Sequence, residues 1–163
     1  MPQPSSRSPS PIPPSNSPAS AVDQATVRAI MAKRVVTVTM DDSLARVRDL
    51  FNEFHFHHLL VTQNRRLVGI ISDRDMLKAV SPNIGTLSEM DRDRATLNKR
   101  AHQIMSRKLI TAGTDTTVEA AAHLLLENRV SCLPIVTEDG QIEGVVTWRD
   151  LLHQYLLQKT SDR

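Results

Sequence analysis

Hydrophobic positions along this chain follow one order, and the chain runs through it twice. Ile30-Met31 opens the first run, followed by the short β-branched stretch Val35 to Val38, which predicts a brief strand. Leu44, Val47, Leu50, Phe51 and Phe54 then recur at three- and four-residue spacing, the period of one helix face. Two apolar stretches come next, Leu59 to Thr62 and Leu67 to Ser72, separated by the polar turn Gln63-Asn64-Arg65-Arg66. Helical spacing returns with Met76, Leu77 and Val80. The second run starts at Ile104-Met105 and continues with Val118, Ala121, Ala122 and Leu125 on one helix face. Strands are expected over Cys132 to Thr137 and Ile142 to Thr147, joined through Asp139-Gly140, a strong hairpin signal. Leu151, Leu152 and Tyr155 close the pattern. Each run therefore predicts the order β-α-β-β-α. Asp41, Asp42 and Ser43 can cap the first long helix, and Thr116 with Glu119 has capping-box spacing before the second.

The two runs align residue by residue. Ile30-Met31-Ala32-Lys33-Arg34-Val35-Val36-Thr37 matches Ile104-Met105-Ser106-Arg107-Lys108-Leu109-Ile110-Thr111 at an offset of 74, and the same offset carries Leu44 onto Val118 and Leu59 onto Leu133. After one inserted residue, Gly69-Ile-Ile-Ser-Asp-Arg-Asp75 falls on Gly144-Val-Val-Thr-Trp-Arg-Asp150. Two copies of one small unit, each a sheet with a half-buried helix pair, are expected to pack face to face along their uncovered sheet faces. The fold class is α/β (α+β) with pseudo-two-fold symmetry. Its predicted bounds are a Pro/Ser-rich tail over 1–22, a first repeat over 23–80, a linker over 81–103, a second repeat over 104–157 and a short tail over 158–163. The linker reads as solvated, with charges alternating through Asp91-Arg92-Asp93-Arg94 and a short helix around Leu87, Met90 and Leu97.

Composition narrows the functional classes. Of the 163 residues, 40% are hydrophobic but only 3% aromatic, so the core must be built from Val, Leu, Ile and Ala, and stacked-base recognition of nucleic acid has few platforms. The 20 basic and 18 acidic side chains nearly cancel, which gives no general pull on a polyanion. Seven of the nine prolines lie in the first 18 residues, where Arg7 is the only charge, and such a stretch cannot offset its ordering entropy. A single cysteine, Cys132, excludes an intrachain disulfide framework and fits a reducing cytoplasm. No apolar stretch reaches the roughly 18 residues of a membrane span, and no secretory signal pattern opens the chain. The expected location is cytoplasmic.

The repeated polar positions carry the candidate chemistry. Ser72-x-x-Asp75 and Thr147-x-x-Asp150 both sit at a strand-to-helix junction. One reading is structural: the hydroxyl caps the helix and the carboxylate meets its first-turn amides. The other is functional: a helix start presents N–H groups to phosphate, while a carboxylate can accept from ribose hydroxyls. One residue can do both. His55, His57 and His58 suggest metal ligands, but on one strand two would face one side and the third the other, and no second cluster completes a set. Cys132 has no motif marking it as a nucleophile, and no acid/base pair stands beside a nucleophile anywhere.

The duplicated motifs, with Val130-Ser-Cys-Leu-Pro-Ile-Val136 and the two Ile-Met starts, resemble a tandem of cystathionine-β-synthase (CBS) domains, often called a Bateman module, over roughly residues 27 to 157. That resemblance implies binding of adenosyl ligands (AMP, ADP, ATP or S-adenosylmethionine) in clefts between the repeats, and pairing into a homodimer through the helices. Carried over by position, Thr37 and Thr111 approach the ligand from the first strand, Ser72 and Thr147 meet phosphate, and Asp75 and Asp150 meet ribose. Val130, Ser131 and Cys132 line an adenine pocket beside Leu133-Pro134, with Phe56, His57 and His58 at the matching positions. Arg74 and Arg149 reach phosphate or form exposed ion pairs. Trp148 departs from its counterpart Asp73 and either stacks on a base or packs at a module interface, and Met40 and Thr114 stand where proline is common.

The resulting expectation is a stand-alone regulatory module that senses adenine nucleotides without turning them over, has no catalytic cofactor, and passes its state to an effector protein. The alternative is a structural or assembly dimer that binds no ligand. Only the second copy keeps the Leu-Pro segment, since Leu60 replaces the proline in the first. Asp150→Ala is therefore expected to weaken adenosyl-ligand binding more than Asp75→Ala when both are titrated by calorimetry; equal losses overturn the ranking.

Overall fold

The computed structural model describes residues 25–161, so the Pro/Ser-rich tail lies outside the described residues. The first copy runs through helix α1 (Val27–Ile30), strand β1 (Thr37–Thr39), helix α2 (Leu44–Phe54), strands β2 (His58–Gln63) and β3 (Arg66–Ser72) and helix α3 (Asp73–Ala79). Helix α4 (Asp91–Ala95), a 3-10 turn over Thr96–Asn98 and helix α5 (Ala101–Ile104) connect it to the second copy. That copy comprises α6 (Val118–Asn128), β4 (Cys132–Val136), β5 (Ile142–Thr147) and α7 (Trp148–Ser161). Helix α7 thus continues through most of the stretch expected to be a terminal tail.

The element order agrees with the hydrophobic pattern, with local differences that have physical causes. In the first sheet β1 pairs parallel to β2, and β2 antiparallel to β3. In the second, β4 and β5 form the hairpin, but the counterpart of β1 is one parallel bridge, Ala112 to Ile135. Ala112 donates to the Pro134 carbonyl at 3.1 Å and accepts from Val136 at 2.9 Å. The next rung would need an N–H from Pro134, which has none, so the ladder stops there. Ser43 caps α2 by accepting the Arg46 N–H at 3.3 Å. The cap of α6 is Thr117 and not Thr116: the Thr117 hydroxyl accepts the Ala120 N–H at 3.1 Å, while the carbonyl of Thr116 holds Val27. In the linker, Leu87 is fully exposed and outside any helix. Asp93 is instead buried, at 6% exposure, accepting from the Ser81 hydroxyl at 2.7 Å and the Met90 N–H at 2.8 Å.

The apolar residues gather in two clusters, and each is completed by the lead segment of the other copy. Val38, Leu44, Val47, Leu59, Val61, Ile71 and Met76 of the first copy enclose Ala101 and Met105, from the lead that opens the second. Ala112, Ala121, Leu125, Leu133, Ile135 and Val146 of the second copy enclose Val27, which opens the first. The backbone bonds are matched across the repeat. Val27 donates to Thr116 at 2.8 Å and Val118 to Ala25 at 2.9 Å; Ala101 donates to Asp42 at 2.8 Å and Leu44 to Lys99 at 2.8 Å. Ala32 exchanges two bonds with Val145 at 2.9 and 3.0 Å, and Ser106 exchanges two with Ile70 at 2.9 and 3.1 Å. Consequently Ala101, from the stretch read as a linker, is fully buried.

This exchange explains why both strands carry a glycine. A Cβ at Gly69 would run into the side chain of Met105, and one at Gly144 would lie 2.8 Å from the Met31 sulfur and 3.0 Å from the Ala32 carbonyl oxygen. Each glycine lets the other copy's Ile-Met lead lie flat on the strand. The carbonyl of Ala32 is pinned by its bonds to Val145 and cannot retreat cheaply. Gly144→Ala is accordingly expected to destabilise the protein by about 1–3 kcal/mol through overpacking, read as a lower urea midpoint. An unchanged midpoint would mean that the lead segment shifts freely.

Candidate ligand-binding cleft

The exchanged leads hold the ends of β3 and β5 on a common cleft of about 670 Å³. Thirteen of the fifteen residues singled out from sequence line it: Ser72, Arg74, Asp75, Thr147, Arg149, Asp150, Phe56, His57, His58, Val130, Ser131, Cys132 and Pro134. Thr37 and Thr111 are not brought to it. Both are exposed, and Thr37 already lies in β1, on the side of β2 away from β3. The lead segments instead contribute residues a step earlier, Val35 and Val36 from one copy and Leu109 and Ile110 from the other. The same segments bring two cations that sequence reasoning missed, Arg34 and Lys108. Their signal was present: they occupy the same position in the two copies, 74 residues apart.

The first strand-to-helix junction forms a full capping box, and the second forms its carboxylate half. The Ser72 hydroxyl accepts the Asp75 N–H at 3.2 Å, and Asp75 Oδ2 accepts from the Ser72 N–H at 2.8 Å and its hydroxyl at 2.6 Å. Asp150 Oδ2 accepts from the N–H and the hydroxyl of Thr147, each at 2.7 Å. The cap bonds fall on one oxygen of each carboxylate, so among the described residues the other oxygen stays open to a further donor. Capping and ligand contact are therefore compatible at both places.

The three histidines are not on one strand. His55 ends α2 in the left-handed region at φ 55°, and its counterpart Arg129 ends α6 at φ 54°. His57 Nδ1 lies 2.9 Å from Asp73 Oδ2, and that hydrogen bond is the main reason the Asp73 carboxyl sits below its usual range. His58 opens β2 and reaches across to the second copy, with Nε2 3.2 Å from the Ser131 hydroxyl. Burial is the largest influence on His58 and lowers its pKa, against the opposing pull of Asp73 and Asp75. Burial also pushes the Cys132 thiol up to about 12, which leaves it protonated and a poor nucleophile. Trp148 is 54% exposed with the Arg149 guanidinium 5.9 Å from its ring centre, so Arg149 rests on an aromatic face.

The architecture is that of an internally duplicated α/β module with its polar junctions facing one shared cleft. The CBS domain profile matches residues 27–82 and 101–156, and the chain belongs to the CBS-domain family. Both matched segments begin at the exchanged leads. An inosine-5'-monophosphate dehydrogenase of Methanocaldococcus jannaschii is 30% identical over 76% of this chain, and this chain covers 22% of that protein. The chain thus spans under a quarter of that relative's length. Among solved structures, CBSX2 in complex with AMP is 27% identical with a TM-score of 0.68, covering 82% of this chain and 98% of that one. Protein MJ1225 from Methanocaldococcus jannaschii is 26% identical with a TM-score of 0.70, covering 81% of this chain and 48% of that one.

His58 generates a pH prediction. In the unfolded chain it protonates near its ordinary value of 6.5, whereas the folded chain holds it neutral to lower pH. The folded state therefore binds fewer protons, and the stability linked to His58 is complete above that value and declines as pH falls through the folded pKa. The thermal midpoint is expected to drop from about pH 7 to about pH 5, and to drop less in His58→Asn. Superimposable profiles for the two proteins would remove His58 as the cause.

Proposed function

We propose that this chain is a regulatory module that binds adenine nucleotides or related adenosyl ligands in the cleft between its repeats, and passes its binding state to a partner protein. The observation that carries the reading is the convergence of two matched hydroxyl–carboxylate junctions and five cations, Arg34, Arg74, Lys108, Arg129 and Arg149, on one cleft with apolar walls. A carboxylate oxygen left open at each junction suits ribose hydroxyls, the cations suit phosphate, and Val130, Pro134, Val35 and Leu109 suit the face of a purine. The AMP complex of CBSX2, a structure of the same family at 27% identity, supports that ligand class. Catalysis is not part of the proposal; the one thiol, Cys132, is held protonated.

Signalling follows from the way the module is built. A ligand spanning both copies favours one relative placement of them, and only a difference in affinity between two placements shifts their populations. A tenfold shift needs about 1.4 kcal/mol of that difference. Helix α7 leaves Leu152, Tyr155 and Leu156 about half exposed along its length, which supports a second copy of this chain as its cover in a cytoplasmic homodimer.

Calorimetry with AMP, ADP, ATP and S-adenosylmethionine tests the ligand class. Saturable binding of at least one, lost in the double variant Asp75→Ala/Asp150→Ala, is the expected outcome. Absence of heat with all four would overturn the sensing role and favour the assembly alternative.

A further inference from the structure

The duplication supplies an internal control for the outer helix faces, because matched positions hold the same place in the fold. On α6 the solvent side carries Glu119, His123, Leu126 and Glu127, and on α7 it carries Leu152, Tyr155, Leu156 and Lys159. Both sets recur at three- and four-residue spacing, so each is one stripe along its helix. The two helices pack on each other, which joins the stripes into one surface. Leu126 is 76% exposed, and Leu152, Tyr155 and Leu156 are about half exposed. These side chains turn away from the second core, which α7 meets through Leu151.

The first copy has no such surface. Asn52 stands where the second copy has Leu126, and Asp49 where it has His123. Leu77 matches Leu152, but α3 ends at Ala79, before the position that matches Leu156. The same fold is therefore built with a polar face in one copy and an apolar face in the other, so the cores do not require the apolar one. Charge on the second face is divided between its helices. Helix α6 carries Glu119 and Glu127 and neither lysine nor arginine. Helix α7 carries Arg149 and Lys159, while its one carboxylate, Asp150, is engaged at the Thr147 cap. A two-fold axis that sets α6 of one chain on α7 of another brings acid to base twice, whereas α6 on α6 would oppose acids.

We propose that two copies of this chain join through their second repeats alone, α6 of each against α7 of the other, with the α2–α3 faces of the first repeats left outside. The inference rests on the homodimer reading above and assigns its contact. Leu126, Leu152, Tyr155 and Leu156 together offer on the order of 400 Å² of exposed side chain, about half of the roughly 800 Å² that each partner gives to a stable interface. An apolar centre of that size with a charged rim is the anatomy of such contacts.

Sedimentation equilibrium of the full chain at about micromolar concentration tests the assignment. The wild-type protein is expected at twice the 18.2 kDa of one chain. Leu126→Glu/Leu156→Glu should weaken pairing about a hundredfold or more, since each substitution enters the contact twice. Asn52→Glu/Leu77→Glu, at matched or equivalent places on the first copy, should change it about threefold or less. Lys159→Glu should weaken pairing several-fold, and adding Glu127→Lys should recover most of that loss. An unchanged circular dichroism spectrum separates lost pairing from lost folding, and the charge reversals carry the test if the leucine variant unfolds. A dimer that survives Leu126→Glu/Leu156→Glu, or one lost equally in Asn52→Glu/Leu77→Glu, would overturn the inference while the homodimer stands. So would a Lys159→Glu loss that Glu127→Lys does not recover. A wild-type protein that sediments as one chain would overturn the inference together with the homodimer reading.

Discussion

Everything in this molecule depends on the reciprocal seating of two lead segments. The Ile-Met lead of each copy lies against the glycine-bearing strand of the other and closes the other's core. Neither copy is a complete hydrophobic unit along its own stretch of chain: without Ala101 and Met105 the first core is open, and without Val27 the second is. A repeat of roughly 55 residues buries too little surface to stand alone comfortably. Swapping leads lets two such units share the task without merging their cores. The price is a strict steric condition, a strand position with no Cβ, and it appears at matched places in both copies.

The same exchange makes the cleft. After their bridges to Val145 and Ile70, the leads run along the cleft before turning into β1 or its one-rung counterpart. That path brings Arg34, Val35, Lys108 and Leu109 to a surface otherwise formed by the hairpin strands and the starts of α3 and α7. Cleft and folding element are thus continuous. Anything that fills the cleft touches both leads, and through them both cores.

Duplication supplies symmetry, and divergence at a few positions gives the halves different characters. Proline at 134 removes one rung of the second sheet; histidine and aspartate at 57 and 73 add a titratable pair on one side, where serine and tryptophan stand on the other. His58 then crosses between the copies to Ser131, the residue just before β4. These differences lie in the cleft and not in the cores, where matched positions remain apolar in both copies.

Much of this was legible in the sequence. Periodicity gave α2, α6 and the two hairpins within a residue or two, because a half-buried helix or strand must alternate at its own period. Self-similarity gave the duplication, and the Ser/Thr-x-x-Asp spacing gave both capped junctions, since a cap is local chemistry. Three things lay beyond it. The ownership of the lead segments could not be read, because Val27 and Ala101 are equally apolar whichever core they enter. The cleft-facing part of each lead is displaced from Thr37 and Thr111 to the residues just before them, because sheet order and not sequence order decides which side of β2 meets the cleft. The pairings of His57 with Asp73 and of His58 with Ser131 join residues 16 and 73 positions apart, and only the closed fold brings them within hydrogen-bonding distance. Local pattern therefore determined which elements form, and long-range steric fit decided which copy each lead completes and what the cleft contains.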